Sequence, residues 1–256
     1  MSDNVSHSVT VQFLVQGMGT DEDFDHRVEL EKLLGDALHK ARNGSCSGGD
    51  GGSGTMNVFL EINDPEKAQR TILKTLEAAG FLDDLIVAHT VHNEEAEDET
   101  ETEVWWPERY PYQFTVFGPV WKGPLPEAEL RSLDEDLRSL QGVWRLVRYD
   151  TPDGASLSEK DTGLQFLFVR DRLTVRRGMS VVSDARIQLD PSARPRHVDL
   201  HPTIGPNRSD VSQGIYQLDG DVLQFCAVPP GEERPSRFTP QSAHQVGRMI
   251  LHREKG

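Results

Sequence analysis

Leu140-Gln141-Gly142-Val143-Trp144-Arg145-Leu146 sets a glycine and a tryptophan two apart at the opening of a strand-like run, directly after a charged helical segment. From Gly142 onward short β runs recur with turn signals between them. Leu164/Phe166/Phe168, Leu173/Val175, Ile187/Leu189 and Val198/Leu200 alternate with polar neighbours, the period of strands that bury one face. Ile215-Tyr216-Gln217-Leu218 and Val222-Leu223-Gln224-Phe225 flank Asp219-Gly220, a hairpin turn whose positive φ glycine tolerates. Arg248-Met249-Ile250-Leu251-His252 closes the series. About eight antiparallel strands without long helices between them predict a barrel or a sandwich.

Upstream of the quoted stretch the pattern is different. Residues 8–15 (SVTVQFLV) read as a strand, and Asp21-Glu22-Asp23 then leads into apolar positions Phe24, Val28, Leu30, Leu34 and Leu38 at helical spacing. Residues 56–62 predict a second strand. Asp64-Pro65 is an N-cap followed by proline in the first turn, opening a helix that buries Ala68, Ile72 and Leu76 and stops at Gly80. Residues 85–91 are a third strand, and residues 112–117 are a candidate fourth. The β-α-β-α-β order points to a ferredoxin-like α/β sandwich or a close relative. The expected organisation is α+β with two domains: residues 1–118 as the sandwich, 119–136 as a linker with a short helix at 127–137, and 137–256 as an antiparallel β-barrel. The glycine-rich residues 48–54 and the acidic residues 94–103 are expected to be loops, the latter because closely spaced like charges repel.

Charge divides at the same boundary. Residues 1–118 hold 23 acidic against 8 basic side chains and residues 119–256 hold 19 of each, so the whole formal charge of -15 belongs to the N-terminal part. Phosphate-tracking proteins need clustered Lys and Arg, so nucleic acid is not an expected partner. Arg170, Arg172, Arg176 and Arg177 alternate with Asp171 and apolar residues, the look of solvated strand edges. Residues 1–7 carry no signal-peptide pattern and no apolar run approaches the ~18 residues of a membrane span. Cys46 and Cys226 stand in unrelated settings rather than in a disulfide framework. The expected compartment is the cytoplasm.

Four separated motifs carry a resemblance: Leu140-Gln141-Gly142-Val143-Trp144; Leu189-Asp190-Pro191 with Pro195-Arg196-His197-Val198-Asp199-Leu200; Gly214-Ile215-Tyr216-Gln217-Leu218-Asp219-Gly220-Asp221; and Pro229-Pro230-Gly231-Glu232-Glu233-Arg234-Pro235. In this order, across about 137–256, they resemble an uncharacterised lipocalin-like domain family known chiefly from planctomycete proteins. The resemblance implies a lipocalin-like β-barrel and brings no established activity. It also implies that Trp144 seals one barrel end beneath a basic residue of the last strand, Arg248 or Arg253, through a cation–π contact.

The chemistry-bearing candidates are few. Gly49, Gly51 and Gly54 match Gly-x-Gly-x-x-Gly, but the segment follows a helix and enters a strand, the reverse of a nucleotide-binding order, so a flexible connection is expected. His197 and His201, four apart on a strand, lie about 13 Å from one another and cannot share an ion. His89 and His92 fall on opposite faces of theirs. No metal site or cofactor is expected. No Gly-x-Ser-x-Gly elbow occurs, and Cys226 between Phe225 and Ala227 reads as a packed residue rather than a thiolate. No catalytic residue is assigned. Within the barrel, Trp144, Arg145, Tyr216, Arg234 and His244 are the candidate ligand-binding residues. In the first domain Trp105, Trp106 and Tyr110 are the candidate partner-binding residues, with packing between the domains as the plainer alternative. The expected function is non-enzymatic binding of a protein partner or a small apolar ligand. Two alternatives stand beside it: an immunity- or inhibitor-type regulator whose acidic domain captures a basic partner, and an enzyme with its site in the barrel mouth or the domain cleft.

Overall fold

β1 (Val5–Leu14) alternates about a buried face formed by Val9, Val11 and Phe13, and α1 (Asp21–Lys40) lays Leu30, Leu34 and Leu38 on the same apolar cluster. The computed structural model describes residues 5–82, 85–93, 100–108, 112–118, 120–121, 123–178, 180–204, 210–240 and 247–254. The chain divides into two compact units, 1–120 and 121–256. Among the described residues no helix is long and apolar enough to cross a membrane.

In unit 1, β2 (Gly44–Gly52) and β3 (Thr55–Ile62) follow α1 as a hairpin, then α2 (Pro65–Ala79), β4 (Leu85–Asn93) and β5 (Thr100–Trp106). The sheet is antiparallel throughout, in the order β2-β3-β1-β4-β5. Both helices pack on one face, α2 through Ala68, Ile72 and Leu76. Their ends follow from local chemistry. Thr20 caps α1 in a reciprocal box with Asp23, and Asp64 caps α2 by accepting from the Lys67 N–H at 3.0 Å, with Pro65 in the first turn and Gly80 (φ 75°) ending the helix in the left-handed region.

Two expected loops are strands. Residues 48–52 belong to β2, whose pairing with β3 supplies the order that local propensity does not. Glycine is required where the strand runs close beneath its neighbour: a Cβ on Gly49 would sit 2.3 Å from the Asn57 carbonyl oxygen. Residues 100–103 of the acidic run form the start of edge strand β5, where every side chain is exposed and charge costs little; residues 94–99 lie outside the described residues. The fourth strand expected at 112–117 is also different. Only β6 (Tyr112–Gln113) is extended, paired with β7 (Val120–Trp121) in a separate ribbon. The stretch after β6 instead covers the sheet face opposite the helices. Thr115 O accepts from Gln12 Nε2 at 2.9 Å, and Val116 O accepts from Asn57 Nδ2 at 3.1 Å and Thr55 Oγ1 at 2.9 Å. These carbonyls give acceptors to three polar side-chain donors on that face.

Unit 2 begins with two short helices, α3 (Glu127–Ser132) and α4 (Glu135–Leu140), where one was expected; extended backbone at Leu133 separates them. Then come β8 (Gly142–Asp150), β9 (Ser156–Ser158), the turn helix α5 (Glu159–Thr162), β10 (Leu164–Val169), β11 (Arg172–Arg177), β12 (Ser180–Asp190), β13 (Arg196–Pro202), β14 (Ser212–Asp219), β15 (Val222–Ala227) and β16 (Arg248–Arg253). From β10 to β16 each strand pairs antiparallel with the next. β16 pairs with β8 and β8 with β10, which closes an eight-stranded barrel, with β9 as an added strand on β8. The alternating apolar positions point inward. Trp144, Leu146, Phe166, Phe168, Leu173, Ile187, Val198, Tyr216, Leu223, Phe225 and Leu251 form one contacting core with Leu140 of α4. Closure leaves the barrel without the free edges that unit 1 retains at β2 and β5.

Candidate functional site

In unit 1 a cleft of about 940 Å³ opens at the end of the sheet where β1 starts and α1 stops. β1 contributes Ser6, His7 and Ser8; the end of α1 contributes His39 and Arg42; β2 adds Ser45 and Ser47, β3 Phe59 and Glu61, and β4 His92. The register sets Glu61 beside both Ser8 and Ser45, and Ser6 beside His92. Successive strand residues face opposite sides, so Ser6, Ser8, Ser45, Glu61 and His92 share the face away from the helices.

The turn that delivers Arg42 is held firmly. Arg42 adopts φ 51°, in the left-handed region, and the next residue, Asn43, is buried. Asn43 Nδ2 donates to Asp64 O at 2.9 Å, while the Asp64 N–H donates to Asn43 Oδ1 at 2.9 Å. The end of α1 is thereby fastened to the start of α2, giving the cleft a fixed wall.

Two histidine contacts frame the site. Ser8 Oγ and His92 Nε2 share a hydrogen bond of 2.7 Å. On the other face His7 Nδ1 and His89 Nε2 lie 3.2 Å apart, and the rings of His7, His89 and Trp105 stack in sequence across β1, β4 and β5 at centroid separations of 5.2 and 4.7 Å. Burial lowers the His89 pKa below the usual imidazole value, with the neighbouring His7 acting in the same direction. His89 and His92 thus occupy opposite faces, as strand alternation requires. Among the described residues no three His, Cys, Asp or Glu side chains come together in a way that could hold a metal ion.

The residues singled out from sequence are dispersed. Trp144 is fully buried in the barrel, donates from Nε1 to Leu140 O at 2.7 Å, and is covered by the Arg253 guanidinium 4.1 Å from the ring centroid. Arg253, not Arg248, is the cover; Arg248 binds Asp150 instead. Tyr216 is also inside the barrel, where its hydroxyl donates to Asp136 of α4, which accepts from Arg196 Nη1 at 3.0 Å as well. Arg145, between inward Trp144 and Leu146, faces outward and bridges Glu159 and Glu254, each at 3.2 Å. Arg234 is spent on the strands themselves, donating to Val198 O at 3.0 Å and Gly214 O at 2.8 Å and pairing with Asp199. A barrel cavity lined jointly by these five is therefore not formed by the four that are described; His244 lies outside the described residues. Trp105 is buried and Trp106 half-buried, both against the core of unit 1, with Trp106 Nε1 donating to Leu82 O at 2.8 Å; Tyr110 lies outside the described residues.

The arginines read as solvated strand edges are also engaged. Arg172 binds the fully buried Asp184, and Arg170 binds Glu129. Cys226 is the packed residue expected, against Ile215, Val228 and Phe238, and burial pushes its thiol up to about 12. The cleft residues His7, Ser8, His39, Arg42, Glu61 and His92 come from four elements and the turn after α1, and carry no spacing signature. Comparison with protein-family models, with curated proteins and with solved structures finds no match to this chain.

Proposed function

We propose that the protein is a non-enzymatic binding protein and that the cleft of unit 1 is its ligand site. The observation that carries this is the cleft itself: a recess of about 940 Å³ edged by hydroxyls, imidazoles, one guanidinium and one carboxylate, beside a single aromatic, Phe59. A few convergent polar groups in a preformed concavity are what a small polar ligand needs. The β2-β3-β1-β4 order, with a helix after β1 and another after β3, supports the ferredoxin-like reading of unit 1. The up-and-down closure of unit 2 and the Trp144–Arg253 cover support the lipocalin-like reading. Free Cys46 and Cys226 fit a reducing, cytoplasmic setting.

The test is an amide-resolved NMR fragment screen. Hits are expected to shift Ser8, Ser45, Ser47 and His92, and to be lost in Ser47→Trp, which fills the cleft. Hits confined to unit 2, or none, would refute the assignment.

A second reading has its own support. By register Tyr149, Leu164, Val175, Leu200, Ala227 and Met249 lie toward the barrel end opposite Trp144, partly buried and apolar. That end suits a small apolar ligand, and the same screen separates the two sites. Capture of a basic protein by the acidic unit, the remaining reading, requires binding that weakens steeply with salt.

A further inference from the structure

Unit 1 is acidic as a whole, and its cleft is balanced in charge. Acidic side chains outnumber basic ones 23 to 8 across residues 1–118, yet the cleft sets one guanidinium, Arg42, against one carboxylate, Glu61, with His39 and His92 beside them. Of the five histidines of unit 1, His7, His39 and His92 line the cleft and His89 hydrogen-bonds to His7.

Three observations narrow the purpose. First, the histidines do not form a metal centre, since no group of three ligating side chains among the described residues could hold an ion. Second, Arg42 is uncommitted. The ion pairs His26–Glu29, Arg27–Glu31 and Arg70–Glu66 lie within helices, and among the described residues neither Arg42 nor Glu61 takes part in one. Third, the end of α1 does not claim these cations for its own dipole. The Ala37, Leu38 and His39 carbonyls already accept from the N–H groups of Ala41, Asn43 and Arg42.

We infer that the cleft binds a small ligand through an oxyanion group, a phosphate, sulfate or carboxylate, held by the Arg42 guanidinium with imidazole N–H and seryl O–H donors around it. This rests on the cleft being the ligand site. Imidazole donates a hydrogen bond in either protonation state, and a hydroxyl rotates to suit, so both serve an oxyanion with one fixed cation at the rim.

The experiment is an NMR titration of the full chain with sodium sulfate, sodium malonate and glucose, at ionic strength held constant with sodium chloride. Sulfate reports a tetrahedral oxyanion, malonate a planar carboxylate, and glucose a neutral polar ligand. The expected result is saturable movement of the Ser8, Ser45, Ser47 and His92 amides with one or both anions. Arg42→Asn, which removes the charge and suits the left-handed backbone, weakens that response about tenfold. Lys32→Gln, on the exposed surface of α1, leaves it unchanged. Movement with glucose but neither anion would overturn the oxyanion and leave the cleft reading standing. No movement with any of the three would overturn both, and an anion response equal in wild type and Arg42→Asn would overturn the role of Arg42 and the proposal with it.

Discussion

The arginines of unit 2 and the cleft of unit 1 treat charge in opposite ways. Around the barrel, Arg170, Arg172, Arg196, Arg234 and Arg248 are each tied to a carboxylate, on Glu129, Asp184, Asp136, Asp199 and Asp150 in turn. Asp184 is fully buried and also accepts from Thr174 Oγ1 at 2.6 Å and from Thr203, so its desolvation is met by three side chains, Arg172, Thr174 and Thr203. Arg42 and Glu61 at the cleft have no such partners. Charges fastened in pairs hold strands and covering loops in place, and charges left over at a concave rim are available to something else.

That contrast makes unit 2 sensitive to substitution and the cleft tolerant of it. The largest expected effect is at the seal. Trp144→Ala removes the biggest fully buried side chain and should cost about 3–5 kcal/mol in denaturant unfolding of unit 2. A loss below ~1 kcal/mol would mean that the barrel end is not packed as described. Next is Asp150. Burial pushes its carboxyl up, but hydrogen bonds from Arg148, Ser156 and Arg248, with the charge of Arg248, outweigh that and hold it at about 2. A depressed carboxylate contributes stability that is present above its unfolded value near 4 and lost as pH falls through about 2. Asp150→Asn should therefore cost about 2 kcal/mol at neutral pH and flatten the acid limb of the stability curve. An unchanged acid limb would show the pairs to be ornamental.

Smaller effects sharpen the comparison. Arg253→Met keeps the aliphatic cover over Trp144 but loses the cation and the hydrogen bonds to Gln141 O and Ser139 O, and should cost about 1 kcal/mol. In unit 1, His89 is kept neutral by burial, so stability falls as pH drops below the unfolded imidazole value near 6.5, where only the unfolded chain gains the proton. His89→Phe should remove that part of the slope, measured by urea unfolding between pH 7.5 and 5. Arg42→Asn should change stability by no more than about 0.5 kcal/mol, because the side chain is exposed and unpaired. A larger loss would place Arg42 among the structural arginines after all.

What the sequence makes legible follows the range of the forces involved. The Asp64-Pro65 start and Gly80 stop of α2 are local chemistry and stand where they were read. The alternation of β10 to β15 and the Asp219-Gly220 turn reflect period and turn type, and they lead to the barrel. The strand at 44–52 was hidden because five of its nine residues are glycines, with no intrinsic preference to extend; its order comes from β3. The strand at 100–106 was hidden because an exposed edge tolerates Glu101 and Glu103. Trp144 and Tyr216 lie inside the barrel, whereas Arg145 faces out of it and Arg234 is bound to the strands; polar character does not say which side of a wall a residue occupies. The cleft was invisible for a related reason: Ser8 and His92 are 84 positions apart and meet only because β1 lies against β4.

The pairing of β16 with β8 has a practical corollary. Arg253 lies opposite Trp144, so the chain enters the barrel and leaves it at the same rim, the one capped by the tryptophan. A reporter, affinity handle or surface tether attached after Glu254 would consequently emerge at the plugged pole, away from the opposite end of the barrel.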